Sequence, residues 1–222
     1  MTKIDFHAHI LPKCDHGSDS RKTSIEQLKQ AKEADIGVIC ATSHFYAQRE
    51  NVDRFIKRRT ISYTKLKETI GDSDYPRLLL GAEILAFTGI DRMPDLEQLC
   101  LEGTNILLIE MPFCDWPDGV ADSVINLSRD GRFKVVLAHV DRYDKDDIEK
   151  LFDYGLVGQL NVDCLSGLML KKHIREWILD GKIVALGSDI HGSKIGYKRW
   201  NKATKKRTDL VNKILTRTEE LF

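Results

Sequence analysis

The chain has 222 residues, 42% of them hydrophobic and 31% charged, with only five prolines; that is enough apolar material for a sizeable core and too little low-complexity sequence for disorder. Lysine plus arginine equals aspartate plus glutamate at 34 each, so no global field favours nucleic acid or an anionic membrane surface. No apolar run approaches the roughly 18 residues that would span a bilayer, and Met1-Thr2-Lys3-Ile4-Asp5 lacks a charged-then-apolar leader pattern. One domain over 1–222 and a cytoplasmic location are the expectations.

Short β-branched runs alternate with stretches of helical period, the pattern of repeated βα units and a parallel sheet. The strands expected are Lys3–His9, Gly37–Ser43, Leu78–Glu83, Asn105–Glu110, Phe133–His139, Val157–Val162 and Ile183–Ser188. Helices are expected at Ser20–Ala34, Val52–Thr69, Asp91–Glu102, Asp118–Arg129, Lys145–Tyr154, Ser166–Leu179 and Asn201–Leu221. Ser20, Asp118 and Asp144 read as helix starts, and Gly71, Gly103, Gly131, Gly155 and Gly181 fall at or just past helix ends, where a left-handed cap is common. Seven βα units in a row point to an α/β barrel rather than an open sheet.

In parallel barrels the reactive groups sit at the C-terminal ends of the strands, on loops anchored by the packed interior. Six of the seven expected strands deliver a metal-type ligand there: His7 and His9, His44, Glu83, Glu110, His139, and Asp189 with His191. His7 and His9 are two apart on extended chain, so both imidazoles project to one side, and Asp189 with His191 is expected to repeat that spacing. A lone histidine is more often a satisfied structural residue, but of the seven histidines only His173 lies away from a strand end or the loop after it. Glu83 and Glu110 each close an apolar run, where an unpaired carboxylate is costly and a cation is the usual compensation. Mixed histidine and carboxylate sets suit multinuclear hydrolytic sites.

Nucleophile motifs are missing. Cys14 is followed by arginine only at Arg21, which is not the Cys-x5-Arg loop of cysteine phosphatases, and there is no G-x-S-x-G elbow or Gly-rich phosphate loop. The five cysteines Cys14, Cys40, Cys100, Cys114 and Cys164 are scattered without a CxxC pair and read as reduced thiols. The basic run from Lys194 to Arg207 reads either as a solvated helix face or as a phosphate-steering rim.

The chain resembles the polymerase and histidinol phosphatase (PHP) superfamily, whose opening H-x-H is here Asp5-Phe6-His7-Ala8-His9, and within it the bacterial protein-tyrosine phosphatases of capsule and exopolysaccharide loci. The matching segments are Ile4–Pro12, Ala41–His44, Gly81–Ile84, Leu108–Pro112, Ala138–Tyr143 and Gly187–His191, in family order. The resemblance implies a distorted seven-unit (β/α) barrel with two or three divalent ions: manganese, iron or zinc. It implies that His7, His9, Glu83 and Asp189 hold one ion, Glu83, Glu110 and His139 a second, and His16, His44 and His191 a third. Asp15-His16-Gly17 departs from the acidic pair usual in the tyrosine-phosphatase branch and follows the histidinol-phosphatase relatives. Arg142 matches a phosphate-binding arginine, but the branch's second arginine falls on Gly196, leaving Lys194, Lys198 or Arg199 as substitutes. The implied reaction is in-line attack of a metal-bound hydroxide on a phosphomonoester of a phosphorylated protein, with Arg142 on the phosphoryl group. A small-molecule phosphatase of the histidinol-phosphate kind, an amidohydrolase and a metal-binding regulatory protein without turnover are the rival readings, and a homo-oligomer stays open.

Overall fold

A computed structural model describes residues 2–113, 115–192 and 196–222. Its seven strands are β1 (Lys3–Ala8), β2 (Ile36–Phe45), β3 (Arg77–Leu85), β4 (Ile106–Glu110), β5 (Lys134–Leu137), β6 (Val157–Asn161) and β7 (Ile183–Gly187). All pair in parallel and in sequence order. β7 returns to β1 through a bridge between Ala8 and Ile190 and through Asp189 N donating to His7 O at 2.8 Å, so the sheet curls into a nearly closed barrel.

The helices are α1 (Arg21–Glu33), α2 (Val52–Ile70), α3 (Val120–Arg129), α4 (Lys145–Asp153), α5 (Val162–Ser166), α6 (Lys172–Leu179), α7 (Gly196–Lys206) and α8 (Thr208–Leu221). Ser20 accepts from Thr23 N to start α1, and Asp144 accepts from Asp146 N to start α4. All five expected capping glycines adopt positive φ.

Three expected helices differ. Asp91–Glu102 is two 3-10 turns, Ile90–Arg92 and Leu96–Leu99, because Pro94 forces Met93 into extended backbone and Asp95 turns left-handed. Ser166–Leu179 divides where Gly167 leaves helical conformation after α5. Asn201–Leu221 breaks at Arg207, whose guanidinium donates to the carbonyls of Leu165 and Gly167. In addition, α3 starts without a side-chain cap from Asp118, on a left-handed Gly119.

Inward-facing positions form two levels. Val38 and Cys40 of β2, Leu79 of β3, Ile106 and Leu108 of β4, and Val136 and Ala138 near β5 pack with Ile4 and Phe6 into a buried apolar plug. Two to four residues further along the same strands the inward series reaches His44, Glu83 and Glu110. β1 makes this change across a register irregularity between Asp5 and Ala8, which lets Phe6 join the plug while His7 and His9 both join the polar level.

Candidate metal centre

Four side-chain atoms from β1, β3 and the segment after β7 converge. His7 Nε2 and His9 Nε2 are 3.1 Å apart. Glu83 Oε2 lies 3.3 Å from the first and 3.2 Å from the second. Asp189 Oδ1 lies 3.6 and 3.4 Å from them. A tetrahedron of nitrogen and oxygen ligands about 2.1 Å from an ion has edges of about 3.4 Å, and these five spacings, from 3.1 to 3.6 Å, lie near that value.

The set extends in two directions. His139 Nε2 is 2.9 Å from Glu83 Oε1 and 3.5 Å from Glu110 Oε1. His44 Nδ1 is 2.8 Å from Glu83 Oε2 and 3.9 Å from Glu110 Oε2. Candidate ligand trios, each with atoms within 4.8 Å of one another, are His7-His9-Asp189, His7-Glu83-His139, His44-Glu83-Glu110 and His9-His44-His191. The last differs from the set implied by resemblance, with His9 in place of His16. His16 is exposed at the rim, its ring stacked 4.6 Å from His44 and 4.7 Å from His191. His44 Nε2 is buried without a hydrogen-bond partner, a state costly in protein alone that metal ligation would relieve.

Electrostatics bind the set together. Burial opposes the charge on Glu83, yet His7, His139 and His44 hold its carboxyl well below the usual range. Burial likewise opposes protonation of His9, but hydrogen bonds to Asp15, Asp189 and Glu83 raise it well above an ordinary histidine. His139 rises to about 9 because Glu110 and Glu83 outweigh its desolvation. His191 falls to about 4, chiefly through burial.

Behind these side chains stand residues that no sequence motif singled out. Asp15 accepts from His9 Nδ1 at 2.9 Å, from Gly17 N at 2.9 Å and from His44 N at 3.0 Å. Gln159 of β6 faces His7 Nδ1 at 3.1 Å and accepts from His139 N at 2.7 Å through the same oxygen. Its amide nitrogen donates to Asn161, which donates to Asp189. Fully buried Asp5 accepts from Ser188 N and Tyr197 Oη, each at 2.8 Å, and ties the β7 end and α7 to β1. Gly187 permits this closeness, since a Cβ there would sit 2.5 Å from that of His7. A visible signal existed in the two amides at alternate positions of β6, the strand that carries no ligand.

Two residues of the cluster occupy left-handed backbone: His139 at φ 32° and Asp189 at φ 48°. Asp189 and His191 therefore do not repeat the extended geometry of His7 and His9; instead His191 Nδ1 turns back to within 3.0 Å of Asp189 O. Strain of this kind persists only where surrounding contacts over-determine it.

A cavity of about 540 Å³ opens over the cluster, lined by Tyr46, Arg49, Phe113 and Arg142 besides seven of the cluster's histidines and carboxylates. Arg142 pairs with Asp189 Oδ2, on the opposite side of that carboxylate from the ligand-facing oxygen. Arg49 lies over the Tyr46 ring, 4.8 Å from its centroid, and adds a second cation to the wall. Phe113 is 65% exposed and stacked 5.7 Å from His139. Arg199, by contrast, pairs with Asp163 and does not line the cavity. Lys206 and Arg207 donate to carbonyls at the end of α5, so this part of the basic run docks helices together. Lys194 and Cys114 lie outside the described residues. Among the described residues no lysine lines the cavity, and Cys14, Cys40, Cys100 and Cys164 are free thiols.

A chain from the crystal structures of YwqE from Bacillus subtilis and CpsB from Streptococcus pneumoniae, metal-dependent tyrosine phosphatases, superposes with a TM-score of 0.80 at 25% identity, covering 98% of this chain and 93% of that one. Histidinol phosphate phosphatase from Lactococcus lactis, solved with zinc, L-histidinol and phosphate, gives 0.56 at 10% identity over 92% and 93%. A β-aspartyl dipeptidase from Fervidobacterium islandicum gives 0.53 at 12% identity over 100% and 74%. The latter two share the fold. No curated protein matches the chain in sequence. Residues 3–217 match the CpsB/CapC family of capsular polysaccharide synthesis, and the chain belongs to that family.

Proposed function

We propose that this chain is a metal-dependent phosphoric monoester hydrolase whose substrate is the phosphotyrosine of a protein. The observation that carries the reading is the buried gathering of His7, His9, Glu83 and Asp189 atoms at spacings of 3.1–3.6 Å, beside a cavity with cationic and aromatic walls. The likeness to the tyrosine phosphatases YwqE and CpsB over nearly the whole chain supports it.

His7, His9, Glu83 and Asp189 are proposed to hold one divalent ion, Glu83, Glu110 and His139 a second, and His44 with His191 and rim His16 a third; manganese, iron and zinc all suit such donors. Ions bound there would activate water and neutralise charge on the phosphoryl oxygens. Arg142 is held by Asp189 and lines the cavity, where its remaining donors would grip a phosphoryl oxygen. Gln159 fixes the orientation of His7 through Nδ1, as Asp15 does for His9. Tyr46 and Phe113 would flank an aryl ring and exclude water beside it. A phenolate leaves with little protonation, so this site needs no strong general acid for phosphotyrosine. Free thiols suit the reducing cytoplasm, where we place the enzyme.

The test compares turnover of a phosphotyrosine peptide and of histidinol phosphate by the as-purified protein, after chelation, and after repletion with each metal. Rapid, chelator-sensitive hydrolysis of the peptide with slow hydrolysis of histidinol phosphate is expected. The opposite ranking would assign the site to small alkyl phosphates, and chelator-insensitive turnover would remove the metals from the reaction.

A further inference from the structure

A groove of about 940 Å³ lies between α1 and α2, larger than the ligand cavity and separate from it. The loop after β1 divides the two: Pro12 and Lys13 line the groove, while His16 lines the cavity. Cations come from three places: Lys13 of that loop, Arg21 and Lys22 of α1, and Arg54, Lys57 and Lys65 of α2, all exposed. Glu68 is the single carboxylate in the lining. None of these six cations pairs with a carboxylate among the described residues, whereas the seventh, Arg58, is engaged by Glu50 and donates to His44 O at 3.1 Å.

The balance is local. The chain carries equal numbers of basic and acidic residues, so seven cations against one carboxylate are not the overflow of a basic protein. Arg54 with Lys57 and Arg54 with Arg58 stand at the i,i+3 and i,i+4 spacings where like charges destabilise a helix. In a concave surface such charges add into a field that draws anions. Ile61, 45% exposed, and Pro12 give the groove an apolar strip. No aromatic side chain lines it, which disfavours single-stranded nucleic acid, whose bases stack on aromatic rings. Acidic residues interspersed with an apolar one match it better than a uniformly charged glycan.

We propose that this groove binds an acidic stretch of the polypeptide that carries the phosphotyrosine. The proposal rests on the phosphotyrosine reading of the neighbouring cavity. Lys13 and His16 are three residues apart, so their Cα atoms lie within about 11 Å, a span that roughly three or four extended residues cover. The acidic stretch therefore begins about four residues from the phosphotyrosine.

The experiment uses R54A/K57A/K65A, three exposed positions where alanine preserves the helix. Two phosphotyrosine peptides are compared, one with four acidic residues beginning four positions away and one with serine and glutamine in their place. In the parent, the acidic peptide is expected to show a KM about tenfold lower at equal kcat, with the difference shrinking as salt rises. In the triple variant both peptides should share the higher KM, with p-nitrophenyl phosphate turnover unchanged and the melting temperature not lowered. Equal KM values in the parent, or a preference that survives in the variant, would overturn the proposal. Fluorescence anisotropy with the unphosphorylated acidic peptide separates this outcome from a failure of the phosphatase reading. Even without turnover, about tenfold weaker binding by the variant supports the groove and equal binding refutes it. Tighter binding of heparin or polyuridylate than of the acidic peptide, at matched charge, would also refute the peptide assignment.

Discussion

The lower and upper levels of the barrel are built on the same strands and differ in almost everything else. Below, Val38, Cys40, Leu79, Ile106, Leu108 and Val136 fill the interior with apolar volume. Above, later inward positions of the same strands carry His44, Glu83 and Glu110, each a buried polar group. The lower level gains stability from every group it buries; the upper level incurs a desolvation cost with each, which hydrogen bonds and cations must offset. A rigid apolar floor is what lets the polar level hold its atoms at spacings set by chemistry rather than by packing.

That contrast can be broken from above. His7→Ala or Glu83→Ala is expected to reduce hydrolysis by more than about a thousandfold and to lower bound metal, read by elemental analysis. Metal stoichiometry unchanged in both variants would contradict their assignment as ligands. Arg142→Ala should cost roughly ten- to a thousandfold in turnover of aryl phosphates while metals stay bound. Near-normal turnover with a lowered melting temperature would instead make its pairing with Asp189 purely structural. Gln159→Leu, which deletes the acceptor for His7 Nδ1 and His139 N, should weaken metal affinity about ten- to a hundredfold, measured by chelator competition.

From below the expectation reverses. Leu108→Ala should lower stability by about 2–5 kcal/mol in denaturant titrations and leave the turnover of the folded fraction close to that of the parent. A pH series on chelated protein sharpens the comparison further. His139, raised to about 9, contributes stability that is fully present below its unfolded value of 6.5 and is lost as pH rises through about 9. The melting temperature of chelated protein should fall over that window, and metal should suppress the fall because ligation displaces the proton. A flat profile without metal would mean that His139 is not protonated in the folded state.

The seven strands were legible because each is a short apolar run bounded by turn residues, and the fold followed from their number and regular alternation with helices. The gathering of histidines and carboxylates at one barrel end was legible for a related reason: such a residue closing a buried run has few alternatives. The splitting of the last helix was hidden, because Arg207 fits the helical period and breaks it only through carbonyls of α5 some forty positions earlier. Gln159 was hidden because a glutamine in a short strand usually faces water, and only closure of the barrel turns it inward. That Arg49 and not Arg199 lines the cavity was hidden, since sequence offset alone does not reveal that Asp163 stands ready to pair with the latter.

The seam between β1 and β7 has a consequence for the order of events during synthesis. His9 and Asp189 are 180 positions apart, yet both belong to the central four-atom set. At about 5–20 residues per second, translation separates them by roughly ten to forty seconds. Throughout that interval the nascent chain offers a growing edge of histidines and carboxylates without the last strand that draws them together. The catalytic centre is therefore assembled late and all at once, and a ribosome-bound chain lacking β7 should be inert toward phosphorylated proteins in its surroundings.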